Sequence, residues 1–406
     1  MLHHRVLSTA SLAGLPLSAV AQPVAFYDLG PSFVWAASSD GGRAVGKVNG
    51  NEAFQWTPAA GIVPLPGPAG PLGGDPFAIS ADDSTIVGGA WAPIRAFRVT
   101  QAGYQSLGAP AGASYQDVRA VAVSANGASA LCSTRRSSGE YQAFLHTDAA
   151  GFQPITPLST AFLWAHAMTP DAQSVVGVHS NRAFRWTQQT GLLYIDGPWN
   201  GVSFVSVYGL SADGGVLVGQ GRLGAGPVQA ARFSSGVVQL LGDLPGGSDS
   251  SVAYSVSADG QIVTGLSSAL AGSAGFVWDP ENGMRDLRML LLQRGASGLA
   301  AWPRLGSQGV SADGRTFFGT GTAPDGTSHG WVAKLAPCGY ANCDGSTTAP
   351  ELNVADFGCF LARYSQGCSD PAACYANCDG STAAPFLNVA DFGCFLQRYA
   401  EGCRTP

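Results

Sequence analysis

One short sentence of residues is written seven times along this chain, and that repetition limits the fold more than any other feature. Its turn phrase reads Ser38-Ser39-Asp40-Gly41, Ser80-Ala81-Asp82-Asp83, Ser124-Ala125-Asn126-Gly127 and Thr169-Pro170-Asp171-Ala172. It continues as Ser211-Ala212-Asp213-Gly214, Ser257-Ala258-Asp259-Gly260 and Ser311-Ala312-Asp313-Gly314. The spacing runs from 42 residues (38 to 80) to 54 (257 to 311). An apolar run leads into each turn. A second short run ends in Val-Gly, a third reads Ala-Phe-x-Trp or a variant, and a fourth follows Gly and ends in Leu. Asp-Gly and Asn-Gly between apolar runs make tight hairpins, because Gly accepts positive φ and Asp or Asn bonds back to the backbone. Pairs such as Ile86-Val87 and Val175-Val176 suit strands. Phe54 and Trp56 alternate and so share one face. Four short strands of this length make one propeller blade, and a blade buries its faces only by stacking on others.

The expected fold is therefore all-β over residues 22–336, a seven-bladed β-propeller. The last unit stops at Trp331-Val332-Ala333-Lys334-Leu335 without a fourth strand. Phe26-Tyr27-Asp28-Leu29-Gly30 looks like a fourth phrase, compare Tyr104-Gln105-Ser106-Leu107-Gly108. The N-terminal strand is predicted to close the ring on the last blade, which removes open strand edges. Between Leu287 and Val310 the rhythm breaks. Leu287, Leu290, Leu291 and Arg294 predict a short helix stopped by Gly295, either covering a ring edge or forming a lid.

Residues 1–21 read as an export signal: Arg5, then a mostly apolar run from Val6 to Val20, then Ala19-Val20-Ala21 before Gln22. That run is too short for a permanent membrane span, and no later stretch is long and apolar enough for one. The expected location is secreted or on the cell surface. Formal net charge is -6 and no basic cluster occurs, which argues against nucleic acid. Of nine cysteines, eight lie between Cys338 and Cys403, as in a small module stapled in an oxidising compartment. Cys132, on an expected second strand, reads as a buried small hydrophobe. His146 and His179 read as strand positions, and His166 and His329 as residues flanking strands. Glu52, Glu140 and Glu281 fall in loops, as do Arg135, Arg136 and Trp199. None of these forms a recognisable catalytic motif.

Residues 337–406 repeat themselves at an offset of 35 (344 to 379, 356 to 391). Asn342, Asp344, Asn353 and Asp356, and again Asn377, Asp379, Asn388 and Asp391, offer hard oxygen ligands of the kind Ca²⁺ takes. Asn353 and Asp356 also fit a helix-capping box. Phe357, Phe360, Leu361 and Tyr364 then share one helical face, matched by Phe392, Phe395, Leu396 and Tyr399, so the two units should pack as a pair. Repeat symmetry favours disulfides Cys343–Cys359 and Cys378–Cys394, with Cys338–Cys368 and Cys374–Cys403 completing the set. The other reading of this segment is a disulfide-stapled mini-domain whose Asn and Asp only make turns and caps.

The seven-fold phrases resemble the HAF family of bacterial extracellular repeats over nearly all of residues 26–335, which implies a secreted protein and no particular activity. The tail, with Asn-x-Asp-Gly, Leu-Asn-x-x-Asp-Phe and a helix in duplicate, resembles a cysteine-rich, GC-type dockerin over residues 338–403. It departs by Tyr340 and Tyr375 at the first ligand position and by inserted residues 347–351 and 382–386. That resemblance implies an EF-hand-like, calcium-binding plug for a cohesin-like or surface scaffold protein. The function expected is a secreted, non-catalytic binding or structural propeller moored by its tail, with a carbohydrate or protein ligand on the ring. The alternative is a secreted carbohydrate-active hydrolase or lyase delivered by the same tail. Convergent carboxylates or histidines at the ring's central mouth would favour the enzyme.

Overall fold

The structure is a computed structural model that describes residues 24–335 apart from 49, 92, 196, 198 and 271, and, in the tail, residues 343, 353–367, 376–378, 385 and 387–400. The expected export signal lies outside the described residues. Seven four-stranded antiparallel sheets follow one another along the chain. Their first strands are Ser32–Ala37, Gly74–Ile79, Tyr115–Val123, Leu163–Met168, Val202–Leu210, Ser251–Val256 and Arg304–Val310. Each first strand touches the first strands of the blades before and after it, so these seven surround the ring's axis. The fourth strand of blade seven is supplied by Val24–Asp28, which pairs with Ser328–Leu335 from Val24↔Leu335 to Asp28↔Trp331. The ring is closed as the sequence predicts.

Seven near-identical hairpins join first to second strands. In each, the leading Ser or Thr hydroxyl donates to the Asp or Asn Oδ1 two residues on. That Oδ1 accepts the amide of the residue two further along. The same hydroxyl oxygen accepts the amide five residues after it. The spacing Ser-x-Asp is thus the spacing that satisfies every polar group of a buried turn root.

The Val-Gly phrase does not end the second strand, as read from the sequence, but lies inside it. Gly46, Gly88, Gly177 and Gly265 stand directly opposite Phe54, Phe97, Phe184 and Phe276 of the third strand. A methyl on Gly88 would lie 2.6 Å from the Phe97 ring and 2.1 Å from the Asp75 carbonyl. The aromatic ring occupies the space a side chain would take, so the two phrases form one packing unit. In blade three Cys132 takes the glycine's place opposite Phe144. It is fully buried, and burial pushes its thiol well above the ordinary range, which fits a packing residue.

Helix α1, Leu287–Gln293, is capped by Asp286, whose side chain accepts the Met289 amide. Leu287, Leu290 and Leu291 are buried with Trp302 and Trp331 between blades six and seven, so α1 covers a ring junction. In the tail, α2 (Val354–Gln366) and α3 (Val389–Ala400) pack through Phe360 and Phe395, stacked with centroids 4.1 Å apart. Cys343 is bonded to Cys359 and Cys378 to Cys394. Cys338, Cys368, Cys374 and Cys403 lie outside the described residues. Disulfides of this kind belong to an oxidising compartment. Among the described residues no helix is long and apolar enough to cross a membrane.

Candidate functional site

Every first strand carries a β-bulge at the same place, three residues before the turn Ser or Thr. The extra, unpaired residue is Trp35, Phe77, Val121, His166, Tyr208, Tyr254 or Gln308, one per blade. A bulge re-aims the side chain it carries. Here it sets one layer of seven side chains around the axis. Their rings meet from blade to blade: Trp35 with Phe77 at 6.0 Å, His166 with Tyr208 at 4.9 Å, Tyr208 with Tyr254 at 5.7 Å. The Arg119 guanidinium bridges the next gap, 5.6 Å from the Phe77 ring and 5.7 Å from Trp164. The Nε1 of Trp35 and the Nε2 of His166 are buried without a hydrogen-bond partner. Burial holds His166 down at about 4, so it is neutral at physiological pH. His166 is the bulged residue of its strand, not a flanking residue as read from the sequence. His329 likewise lies inside a strand, where its Nδ1 contacts Asp28 at 2.8 Å and ties the closing strand to blade seven.

The two ends of the axis differ. At the hairpin end the turns bond to one another: Asp82 N to Ala125 O, Ala125 N to Pro170 O, Ala212 N to Ala258 O, Ala258 N to Ala312 O and Asp313 N to Ser39 O. This collar leaves a shallow hollow of about 190 Å³ floored by side chains such as Ala37, Ile79 and Met168. The turn carboxylates face this end. Asp82, Asp171 and Asp213 are held below the usual carboxylate range, first of all by the hydroxyls of Ser80, Thr169 and Ser211. They are structural anions, as the sequence reading expects.

The opposite mouth is built of aromatic faces and paired charges. Lys47 lies 3.0 Å from Asp75 and 4.7 Å from the centre of the Trp91 ring, whose Nε1 donates to Asp75 at 3.1 Å. Arg119 pairs with Asp117 at 2.8 Å. The carboxylates of Asp75 and Asp117 are each matched to a cation. A hollow of about 480 Å³ opens at the same end between blade six and α1, lined by Leu270, Met284, Met289 and Arg304 among others. Arg135 and Arg136, expected on a loop, instead end the second strand of blade three, where Arg135 lies 5.5 Å from the Tyr141 ring centre. Trp199 packs against Phe233 and donates to the Ile195 carbonyl, which makes it a structural residue. His179 joins Ser159 at 2.9 Å to Tyr194 at 2.6 Å. His146 packs edge-on to Phe152.

In the tail, Asn353 Oδ1 accepts the Ala355 amide and Asp356 Oδ2 accepts the Asn353 amide, a complete capping box. Asn388 and Asp391 make the same two bonds in the second copy. Asp356 and Asp391 are buried. These four side chains therefore cap their helices, and by themselves they do not make a cation cage. Among the described residues no cluster of three His, Cys, Asp or Glu could hold a metal. Asn377 is nearly buried. Asn342, Asp344 and Asp379 lie outside the described residues. Leu361 and Leu396, expected on the packed face, are exposed. Val354 and Val389, one turn or more before them, are 83% and 84% exposed.

Neither a protein-family model nor a curated protein matches the chain. It is similar to the crystal structure of TolB from Acinetobacter baumannii, at 14% identity and a TM-score of 0.40 over 63% of this chain and 62% of that one. It is also similar to a structure assigned as TolB from Agrobacterium tumefaciens, at 15% identity and a TM-score of 0.40 over 64% of this chain and 89% of that one. The chain thus spans about three fifths of the first of these. At this distance the likeness is one of general architecture.

Proposed function

We propose that this is a secreted, non-catalytic propeller moored outside the cell by its C-terminal module. The observation that carries the reading is a matched set of exposed aliphatic residues. Val354 and Leu361 on α2 recur as Val389 and Leu396 on α3, while the aromatic residues of both helices are spent on each other. An apolar pair offered twice at a fixed offset suits a protein partner, and a cohesin-like or surface scaffold protein is the partner the dockerin-like pattern implies. The HAF-like repeats fit the same extracellular setting. The ring would present a carbohydrate or protein ligand at the mouth, where Trp91 and Trp164 adjoin charges already paired. That pairing supports binding over acid–base chemistry.

Calcium belongs to this proposal. It would be held by Asp344 and Asp379 with Asn342 and Asn377, and by whatever oxygen capacity capping leaves on Asn353, Asp356, Asn388 and Asp391. When bound, the ion would fix the loops that lead into α2 and α3. The test of mooring is surface retention of the full chain on its host against the double variant Leu361→Asp/Leu396→Asp. Both side chains are exposed, so the fold should survive. The variant is expected in the medium, and equal retention of both chains would refute the proposal.

A further inference from the structure

The ring's exposed large apolar side chains are distributed unevenly. Six of them lie at one end of the blades: Trp91 and Leu223 end second strands, and Leu158, Phe162, Leu270 and Met289 lie on loops or on α1, between second and third strands or between blades. In an antiparallel four-stranded blade those connections all fall at one end of the ring, opposite the Ser-x-Asp hairpins. The remaining five, Ile62, Val63, Leu193, Tyr194 and Val237, lie on outermost strands. The Ser-x-Asp turns carry none, and six of them carry a carboxylate. Scattered exposed apolar residues need no explanation, but a segregated set marks an interaction face.

Charge is segregated in the same sense. From blade two to blade five, the apolar-tipped end carries Arg95, Arg135, Arg136, Arg182 and Arg222. Among the described residues of that sector Asp75, Asp117, Glu140 and Asp243 oppose them, and Asp75 is paired with Lys47 and Asp117 with Arg119. Over blades two to five the apolar-tipped end thus carries more cations than anions, in a chain of net charge -6 whose turn carboxylates lie at the other end.

We propose that the end of the ring opposite the Ser-x-Asp hairpins docks on an anionic lipid surface. The apolar tips sit on separate blades rather than in one groove, and Leu270 is 87% exposed. A rigid protein partner would need a matching hollow for each tip, and a hydrated acidic polymer has nothing apolar to receive a leucine. A lipid interface accepts several protruding side chains at once, takes tryptophan at headgroup depth and attracts arginine when anionic. This proposal rests on the ring alone and is independent of the tail's role.

The test is flotation of the intact chain with vesicles of phosphatidylglycerol in phosphatidylcholine, against vesicles of phosphatidylcholine only. Binding to the anionic vesicles is expected, weakened by added salt. Leu223→Ser/Leu270→Ser should reduce it at least about tenfold. Arg135→Gln and Arg222→Gln should each reduce it about fivefold. The tail variant Leu361→Asp/Leu396→Asp should bind as the parent does, which keeps this result separate from the mooring test. No binding, equal binding to neutral vesicles, or loss only in the tail variant would overturn the proposal. So would self-association that Leu270→Ser abolishes in the absence of vesicle binding.

Discussion

The residue after each bulge is small: Ala36, Ala78, Ala122, Ala167, Gly209, Ser255 and Gly309. Blade seven gives the sharpest test of why. Gly309 stands opposite Phe318, where other blades place a residue no larger than Leu. A methyl on Gly309 would lie 2.3 Å from Cζ of Phe318, 2.8 Å from Cε2 and 3.0 Å from Cε1. Ordinary carbon contacts begin near 3.5 Å, so the ring would have to retreat by about 1 Å. It cannot do so freely, because Phe318 is buried among Leu29, Val34, Phe54, Trp56 and Val332 at the junction of blades seven and one. Gly309→Ala should therefore cost about 2–3 kcal/mol by overpacking. Phe318→Ala should cost about 3–5 kcal/mol through the cavity it leaves. If the two groups compete for one space, the double variant costs less than the sum by about 1–2 kcal/mol. Urea unfolding followed by the fluorescence of the nine tryptophans measures all four corners of the cycle. Strictly additive costs, or a harmless Gly309→Ala, would refute the reasoning.

Three further outcomes follow from the geometry. His166 is held at about 4 by burial, below its unfolded value, so the unfolded chain binds its proton first as pH falls. Stability should drop between about pH 6.5 and 4, by up to about 1.4 kcal/mol per pH unit, and His166→Phe should remove that component of the slope; a variant with the parent's profile would contradict this. Phe26→Ala strips the closing strand of its contacts with Trp302 and Trp331, at 5.3 and 6.2 Å. It should cost about 2–4 kcal/mol and raise aggregation through the freed edge, measured by light scattering on warming; unchanged behaviour would count against ring closure as a main source of stability. Calorimetric titration of the full chain with Ca²⁺ should give a heat that Asp344→Asn/Asp379→Asn abolishes, whereas no heat at millimolar Ca²⁺ would leave the tail to its disulfides and caps.

The fold was legible because its repeated phrases are chemical necessities of position. A hydroxyl, a side-chain oxygen of Asp or Asn two residues later and an amide five residues later close a hairpin only at that spacing, so the pattern survives seven times, five of them as Ser-x-Asp. The capping boxes at Asn353 and Asn388 were legible for the same reason. Val-Gly was misread as a strand end because the reason for its glycine is the Phe on the neighbouring strand, which no local window contains. The axial layer was invisible, since Trp35, Phe77, Val121, His166, Tyr208, Tyr254 and Gln308 share a place and not a chemistry. Leu361 and Leu396 were misplaced because an apolar stripe does not reveal how much of its width a neighbouring helix covers.

The way the ring is fastened also orders its assembly in time. Val24–Asp28 emerges early in synthesis, yet its partner Ser328–Leu335 lies some 300 residues later. Until that partner exists, both are bare strand borders, and the entropy of joining such distant segments rewards nothing sooner. The circle can be completed only after all seven blades stand, so the nascent chain spends most of its making as an open arc whose two ends could as readily find a neighbouring molecule as each other.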